Sequence, residues 1–252
     1  MVWNYPLATI ATIVFLHPLE KGLRFTALPW GLYAALAILL PGIFLCIAYA
    51  IQYSGIAKTE VAQRLSLFIP LLAAFFLFHE KIAFQKLIGI AVGLAAICCS
   101  IVWNSKQNKQ GKVWYALLVF LGMGIIDILF KQVALYKQIP YAYSMLMIFV
   151  VAMFLSFALF CYNLWSKQAS LQWRAIFWGI LLGFFNFGNI LFYMKAHQVL
   201  SKSPSIVFTG MNVGVILLGT LIGVVCFAEK LSFWNKIGLL LAVISVLMIA
   251  YL

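Results

Sequence analysis

The sequence predicts an all-α polytopic membrane protein of about nine transmembrane helices arranged as an inverted-topology repeat of four plus five. Three observations lead there: an apolar composition, nine long apolar runs, and one segment that occurs twice. Hydrophobic residues make up 66% of the 252 residues and charged residues 9%, with a mean hydropathy of +1.09. A soluble domain carries about 45–50% apolar and about 25% charged residues, so lipid is the solvent that suits this chain.

A helix needs about 20 apolar residues to cross about 30 Å of hydrocarbon. Nine runs meet or approach that length: 2–18, 30–54, 61–79, 87–105, 113–136, 141–164, 174–195, 204–228 and 235–252. They are continuously apolar and do not alternate, which excludes barrel strands. The connections are short and polar. The longest and most polar, residues 105–112, separates an N-terminal repeat (1–104) from a C-terminal repeat (113–252).

Glu80-Lys-Ile-Ala-Phe-Gln-Lys-Leu-Ile-Gly89 returns as Glu229-Lys-Leu-Ser-Phe-Trp-Asn-Lys-Ile-Gly238, with five of ten positions identical. Internal repeats in a polytopic chain point to secondary transporters. Five runs lie between the two copies. Five is odd, so the copies are expected on opposite faces of the membrane and the halves are inserted upside down relative to each other. Equal halves need equal helix counts, yet four runs precede the linker and five follow it. One helix is therefore expected to be missing at the N-terminus, by truncation or a late start.

The net charge of +12 does not mark a nucleic-acid binder. The 17 basic residues are scattered singly between apolar runs, where they meet lipid headgroups. Eight fall on each side of the membrane and Arg64 lies within a span, so the positive-inside rule leaves the orientation open. The five cysteines sit in apolar runs without metal spacing and read as small hydrophobes. No basic leader precedes the first run. No phosphate-binding Gly-rich loop, zinc-binding histidine pair or potassium-channel filter occurs, and no two acids are placed for acid/base work. Neither a cofactor nor a metal is expected.

Arg64-Leu-Ser66-Leu-Phe-Ile-Pro70, His79-Glu80-Lys81 and Ile88-Gly89, followed by Ser203-Pro-Ser205, Gly210-Met-Asn212, Glu229-Lys230 and Ile237-Gly238, resemble the drug/metabolite transporter superfamily in its ten-helix EamA-type branch. Gly124-Ile-Ile-Asp127 and Gly183-Phe-Phe-Asn186 do so too, and the likeness covers essentially the whole chain. The resemblance implies two inverted five-helix repeats, a central pocket lined by the earlier helices of each half, and contact or homodimer roles for the last two helices. This chain departs from the branch by lacking the first helix.

Charges inside a span cost about 2.5–3.5 kcal/mol each on translocon scales, so the few present ask for a reason. Glu20, Glu80 and Glu229 sit at span ends beside lysines, and Glu80 and Glu229 are placed to cap the helix that follows. Glu60 and Asp127 each have a cation four residues on, Arg64 and Lys131, which puts each pair on one helix face. Each pair either neutralises itself for insertion or presents a polar site, with Lys131 able to snorkel to an interface. Asn4, Gln52, Tyr53, Ser66, Asn186, Asn189, Tyr193, Thr209 and Asn212 form an uncharged set that serves as interhelical glue or lines a solute path. Asn186, Asn189 and Tyr193 are spaced three and four apart. The candidate pathway is Asn4, Gln52, Tyr53, Arg64, Ser66, Asp127, Lys131, Asn186, Asn189, Tyr193 and Asn212, with Asp127 and then Glu60 as proton-coupling sites.

Close helix contacts are expected at Gly89/Gly93, Gly179/Gly183, Gly210/Gly214 and Gly219/Gly223, and helix kinks or starts at Pro6, Pro70, Pro140 and Pro204. The expected function is a secondary transporter of a small metabolite or amphipathic solute by alternating access, multi-pass in the plasma or inner membrane, with the bilayer and the solute as its partners. The rival readings are a non-transporting structural or regulatory remnant of a carrier and, with less support, a lipid-modifying membrane enzyme.

Overall fold

A computed structural model describes residues 2–18, 28–80, 84–100, 114–136, 138–166, 172–227 and 233–251. Every regular element among them is an α-helix: α1 (Asn4–Leu16), α2 (Trp30–Ser54), α3 (Ile56–Leu65), α4 (Phe68–Phe76), α5 (Phe84–Ser100), α6 (Trp114–Leu135), α7 (Tyr141–Trp165), α8 (Trp173–Val199), α9 (Pro204–Phe227) and α10 (Phe233–Tyr251). Among the described residues, α2, α6, α7 and α8 are long and apolar enough to cross a membrane, and the remaining apolar helices are shorter. The 27 residues of α8 give a length of about 40 Å.

Each of the nine apolar runs contains helix, and the third contains two. Pro70 explains the division. It has no N–H to donate to the Ser66 carbonyl, and its ring crowds that oxygen. The chain tightens there: Ile69 N–H reaches the Ser66 carbonyl at 3.0 Å and Leu67 N–H reaches Arg64 at 3.3 Å, both three-residue turns. The Ser66 hydroxyl donates to the Gln63 carbonyl at 2.6 Å. The expected kink is thus a break four residues before the proline. Pro204 opens α9 and Pro140 immediately precedes α7, positions where a missing N–H costs nothing. Pro6 is carried within the first turn of α1, and α2 runs unbroken through Pro41, a position the sequence reading passed over.

The chain forms two compact units, residues 1–45 with 129–199, and residues 46–128 with 200–252. Both draw on both sequence repeats, because the chain changes unit within α2 and within α6.

In the first unit α1 packs on α7 and α8. Gly179 and Gly183 allow this approach. A Cβ at Gly179 would lie 2.8 Å from the Trp3 side chain, and one at Gly183 would lie 2.6 Å from the Asn4 carbonyl oxygen. Trp3 lies at Gly179 and Leu7 at Gly183, while Phe15 reaches Phe187, so α1 and α8 run in the same direction. Six runs separate their starts, and an even number requires that.

In the second unit α5 packs along α10, α9 lies against both, and α4 lies against α9. Gly93 sits under Ser245 and Thr209, with a built Cβ 2.7 and 2.9 Å away. The Ser245 hydroxyl donates to the Gly89 carbonyl at 2.8 Å. Among the described residues, a Cβ at Gly210, Gly214 or Gly219 would meet nothing within 4 Å. For Gly223, the side-chain position lies outside the described residues.

Glu80 does not cap the helix that follows it. Its carboxylate accepts from the Ser205 N–H at 2.9 Å and from the Ser205 hydroxyl at 2.6 Å, with Ser205 fully buried. His79, at φ 50°, turns the chain so that the acid reaches the N-terminus of α9, where free N–H groups and the helix dipole favour an anion. Glu80, four residues past the end of α4, therefore lies at the end of α9 where that helix starts, and α9 runs 24 residues, about 36 Å, before its own end. Glu229 lies outside the described residues, as do Glu20 and residues 101–113, which hold the linker.

Two outcomes follow for stability. Gly183→Ala is expected to cost about 1–3 kcal/mol by overpacking, whereas Gly210→Ala should be neutral or slightly stabilising; paired melts in detergent compare them. Glu80→Ala removes two charge-assisted bonds, each in the range of about 1.5–3 kcal/mol, and should lower the melting temperature more than Glu80→Gln, which keeps an acceptor for the Ser205 N–H.

Candidate functional site

The polar residues of the first unit gather on the inward faces of α1, α7 and α8. α1 is amphipathic in the sense opposite to a soluble helix. Tyr5, Ala8, Thr9 and Thr12, spaced i, i+3, i+4, i+7, are buried together with Asn4 and Ala11, while Ile10, Val14 and Phe15 are more than half exposed. In lipid the apolar face turns outward and the polar one must find partners inside.

Asn186 Nδ2 donates to Asn4 Oδ1 at 3.2 Å, joining α8 to α1. The Thr12 hydroxyl donates to the Ala8 carbonyl at 2.7 Å. The other polar atoms of this face are not satisfied. Asn4 Nδ2, Tyr5 OH and Thr9 Oγ1 on α1, and Ser156 Oγ on α7, are buried without a hydrogen-bond partner among the described residues. Elsewhere in this unit, Tyr33 OH and Ser144 Oγ lie 2.7 Å apart and link α2 to α7.

A second group surrounds Lys131, which is completely buried. Burial on this scale shows that its amine does not snorkel to the surface. His197, also completely buried, lies within electrostatic range of Lys131. The Tyr193 ring stands edge-on to the His197 ring with centroids 4.5 Å apart and edge-on to Phe130 at 6.2 Å. The unit thus holds a buried cation and a buried imidazole, the imidazole standing against an aromatic ring.

The first unit thus holds two polar groups, Asn4 with Asn186, and Lys131 with His197 and Tyr193. Asn189 belongs to neither. α1 meets α8 at Gly179, Gly183, Asn186 and Phe187, and Asn189 is exposed, in an outer groove.

The remaining candidates lie in the second unit. Gln52 is exposed, and Tyr53 stacks on Tyr115 at 5.4 Å. Ser66 is held at the helix break. Asn212 spends its amide on the Phe208 carbonyl at 3.0 Å within its own helix. Arg64 and Asp127 are half-buried on α3 and α6. The Glu60 side chain lies outside the described residues. Sequence reasoning missed Tyr5, Thr9, Ser156 and His197. The i, i+4 spacing of Tyr5 and Thr9, and of Tyr193 and His197, was the available signal.

Residues 1–102 match the EamA-like transporter family. An uncharacterized protein of Haemophilus influenzae is 37% identical over 266 residues, a match that spans all of this chain and 88% of that protein. The chain belongs to the EamA-like transporter family. A solved crystal structure of a protein at 15% identity matches 98% of this chain and 84% of its own with a TM-score of 0.72, a likeness that shows the shared fold. An EamA-like chain with apolar helices of this kind is a multi-pass membrane protein, and the family's members are transporters rather than enzymes.

The Asn4–Asn186 bond is open to a direct test. A double-mutant cycle with Asn4→Ala and Asn186→Ala should give a coupling of about 0.6 kcal/mol and no more than about 1.7 kcal/mol, the range of interhelical hydrogen bonds in membranes. A coupling of zero in thermal melts would show that the two amides do not act on each other.

Proposed function

We propose that this chain is a secondary carrier of a small organic solute bearing hydrogen-bond acceptors, and that the polar face of α1 forms part of its path. The observation that carries the reading is the set of buried, unpartnered atoms Asn4 Nδ2, Tyr5 OH, Thr9 Oγ1 and Ser156 Oγ. A buried polar group without a partner costs about 1–3 kcal/mol. Four on two packed helices are a standing expense for stability, and a solute that accepts hydrogen bonds as it passes offsets it. All four groups can donate, so a carbonyl or carboxylate suits them. Alternating access then moves the solute across the plasma or inner membrane.

Tyr5→Phe separates this role from a structural one. Deleting an unsatisfied buried hydroxyl should leave the melting temperature of the solute-free protein unchanged or raised. The same change should weaken the solute that stabilises the wild-type protein by about 2–12-fold, the worth of one net hydrogen bond. A drop in stability without any loss of affinity would assign Tyr5 to packing alone. The solute itself is found by melting the purified protein against a metabolite panel. A bound solute at about 100 times its Kd contributes about 2.7 kcal/mol, whereas a non-transporting remnant shifts with nothing.

Asp127 is the proposed proton site if uptake is driven by a proton gradient, with Glu60 the second choice. Asp127→Asn should then abolish pH-driven uptake into vesicles while the protein still inserts. Undiminished uptake would remove Asp127 from the coupling.

A further inference from the structure

An outer groove lies between α1 and α8, and neither Asn4 nor Asn186 lines it. It has a volume of about 590 Å³, and Phe15, Phe184, Phe187, Gly188, Phe192 and Lys195 are among the residues that line it, with Asn189. Phe15 and Phe187 stack at 6.1 Å, which closes one side. Phe184, Gly188, Phe192 and Lys195 follow the i, i+4, i+8, i+11 stripe of α8, so the groove runs along that helix. A Cβ built on Gly188 would meet nothing within 4 Å among the described residues. Phe15, Phe184 and Phe192 are each more than half exposed, so these rings border the groove without filling it.

α8 is longer than the hydrocarbon layer, about 40 Å against about 30 Å, which leaves about 10 Å of it for the headgroup layers at its ends. Lys195 stands four residues from the end of α8, about 6 Å along the axis, and about 10 Å beyond Gly188. The groove therefore has an apolar trough at acyl-chain depth and a single exposed cation at phosphate depth. Lys195 has no acidic partner among the described residues.

We propose that this groove is a binding site for one anionic phospholipid, with an acyl chain lying over Gly188 between the phenylalanine rings and the headgroup phosphate at the Lys195 ammonium. Charge complementarity selects the lipid over an apolar helix, which would leave the amine unmatched. The site is separate from the buried Asn4–Asn186 system, so its occupancy regulates or stabilises the α1·α8 pair from outside.

The test uses the full chain, purified and delipidated in detergent, titrated with phosphatidylglycerol or phosphatidylcholine of the same acyl chains and followed by intact-complex mass spectrometry. The wild-type protein should retain phosphatidylglycerol about fivefold more tightly, the worth of one basic residue at an anionic surface. Lys195→Gln should erase that preference while Lys195→Arg keeps it. Gly188→Leu should displace both lipids with the lipid-free melting temperature unchanged. An equal preference in Lys195→Gln, or undiminished lipid binding by Gly188→Leu, would overturn the site. So would a dimeric wild-type protein that Gly188→Leu converts to a monomer, because a second copy would then be the occupant.

Discussion

The structure depends on one constraint: inside a bilayer no water is available to satisfy polar groups, so each must be met by the protein or left at a cost. The backbone answers by being helical through most of the described residues. Where the helix fails, at Ser66 and Leu67, three-residue turns and the Ser66 hydroxyl recover the bonds that Pro70 removes. At the start of α9 the Glu80 carboxylate takes up donors that a soluble helix would leave to water. Small residues bring helices close enough for such bonds, as Gly89 and Gly93 do for Ser245.

Against that background the unmet atoms on α1 and α7 stand out. The protein satisfies Asn186 with Asn4, Thr12 with its own helix, and Tyr33 with Ser144, yet leaves Tyr5 OH and Ser156 Oγ enclosed and unpaired among the described residues. Membrane bundles use polar side chains as glue, but glue comes in bonded pairs. Unbonded groups on a helix whose other face is Ile10, Val14 and Phe15 fit a surface that meets a changing partner. The same unit also buries Lys131 and His197, with the Tyr193 ring edge-on to His197 and to Phe130.

The outward face follows different physics. Bulky aromatics there need no partner because lipid is as apolar as they are, and a concavity forms where glycine interrupts them. Gly183 and Gly188 lie five residues apart on α8 with opposite uses. One admits the backbone of α1, and the other leaves a trough open to the membrane. Neither use is visible in the residue itself.

The sequence by itself determined the membrane class and the positions of the apolar runs to within a few residues, and it led to the expectation of halves inserted upside down. Those follow from composition, from the length a helix needs in lipid, and from the parity of a count, none of which requires knowing which helices touch. The EamA resemblance was likewise readable from short motifs. Tertiary structure alone decided which polar residues meet. Asn4 and Asn186 are 182 positions apart, Glu80 reaches Ser205 across 125, and Asn189 is exposed although only three residues from Asn186. Periodicity assigns a residue to a face of its own helix, but a bundle in lipid has polar and apolar neighbours on several sides. Which face turns inward is fixed only when the neighbouring helix arrives.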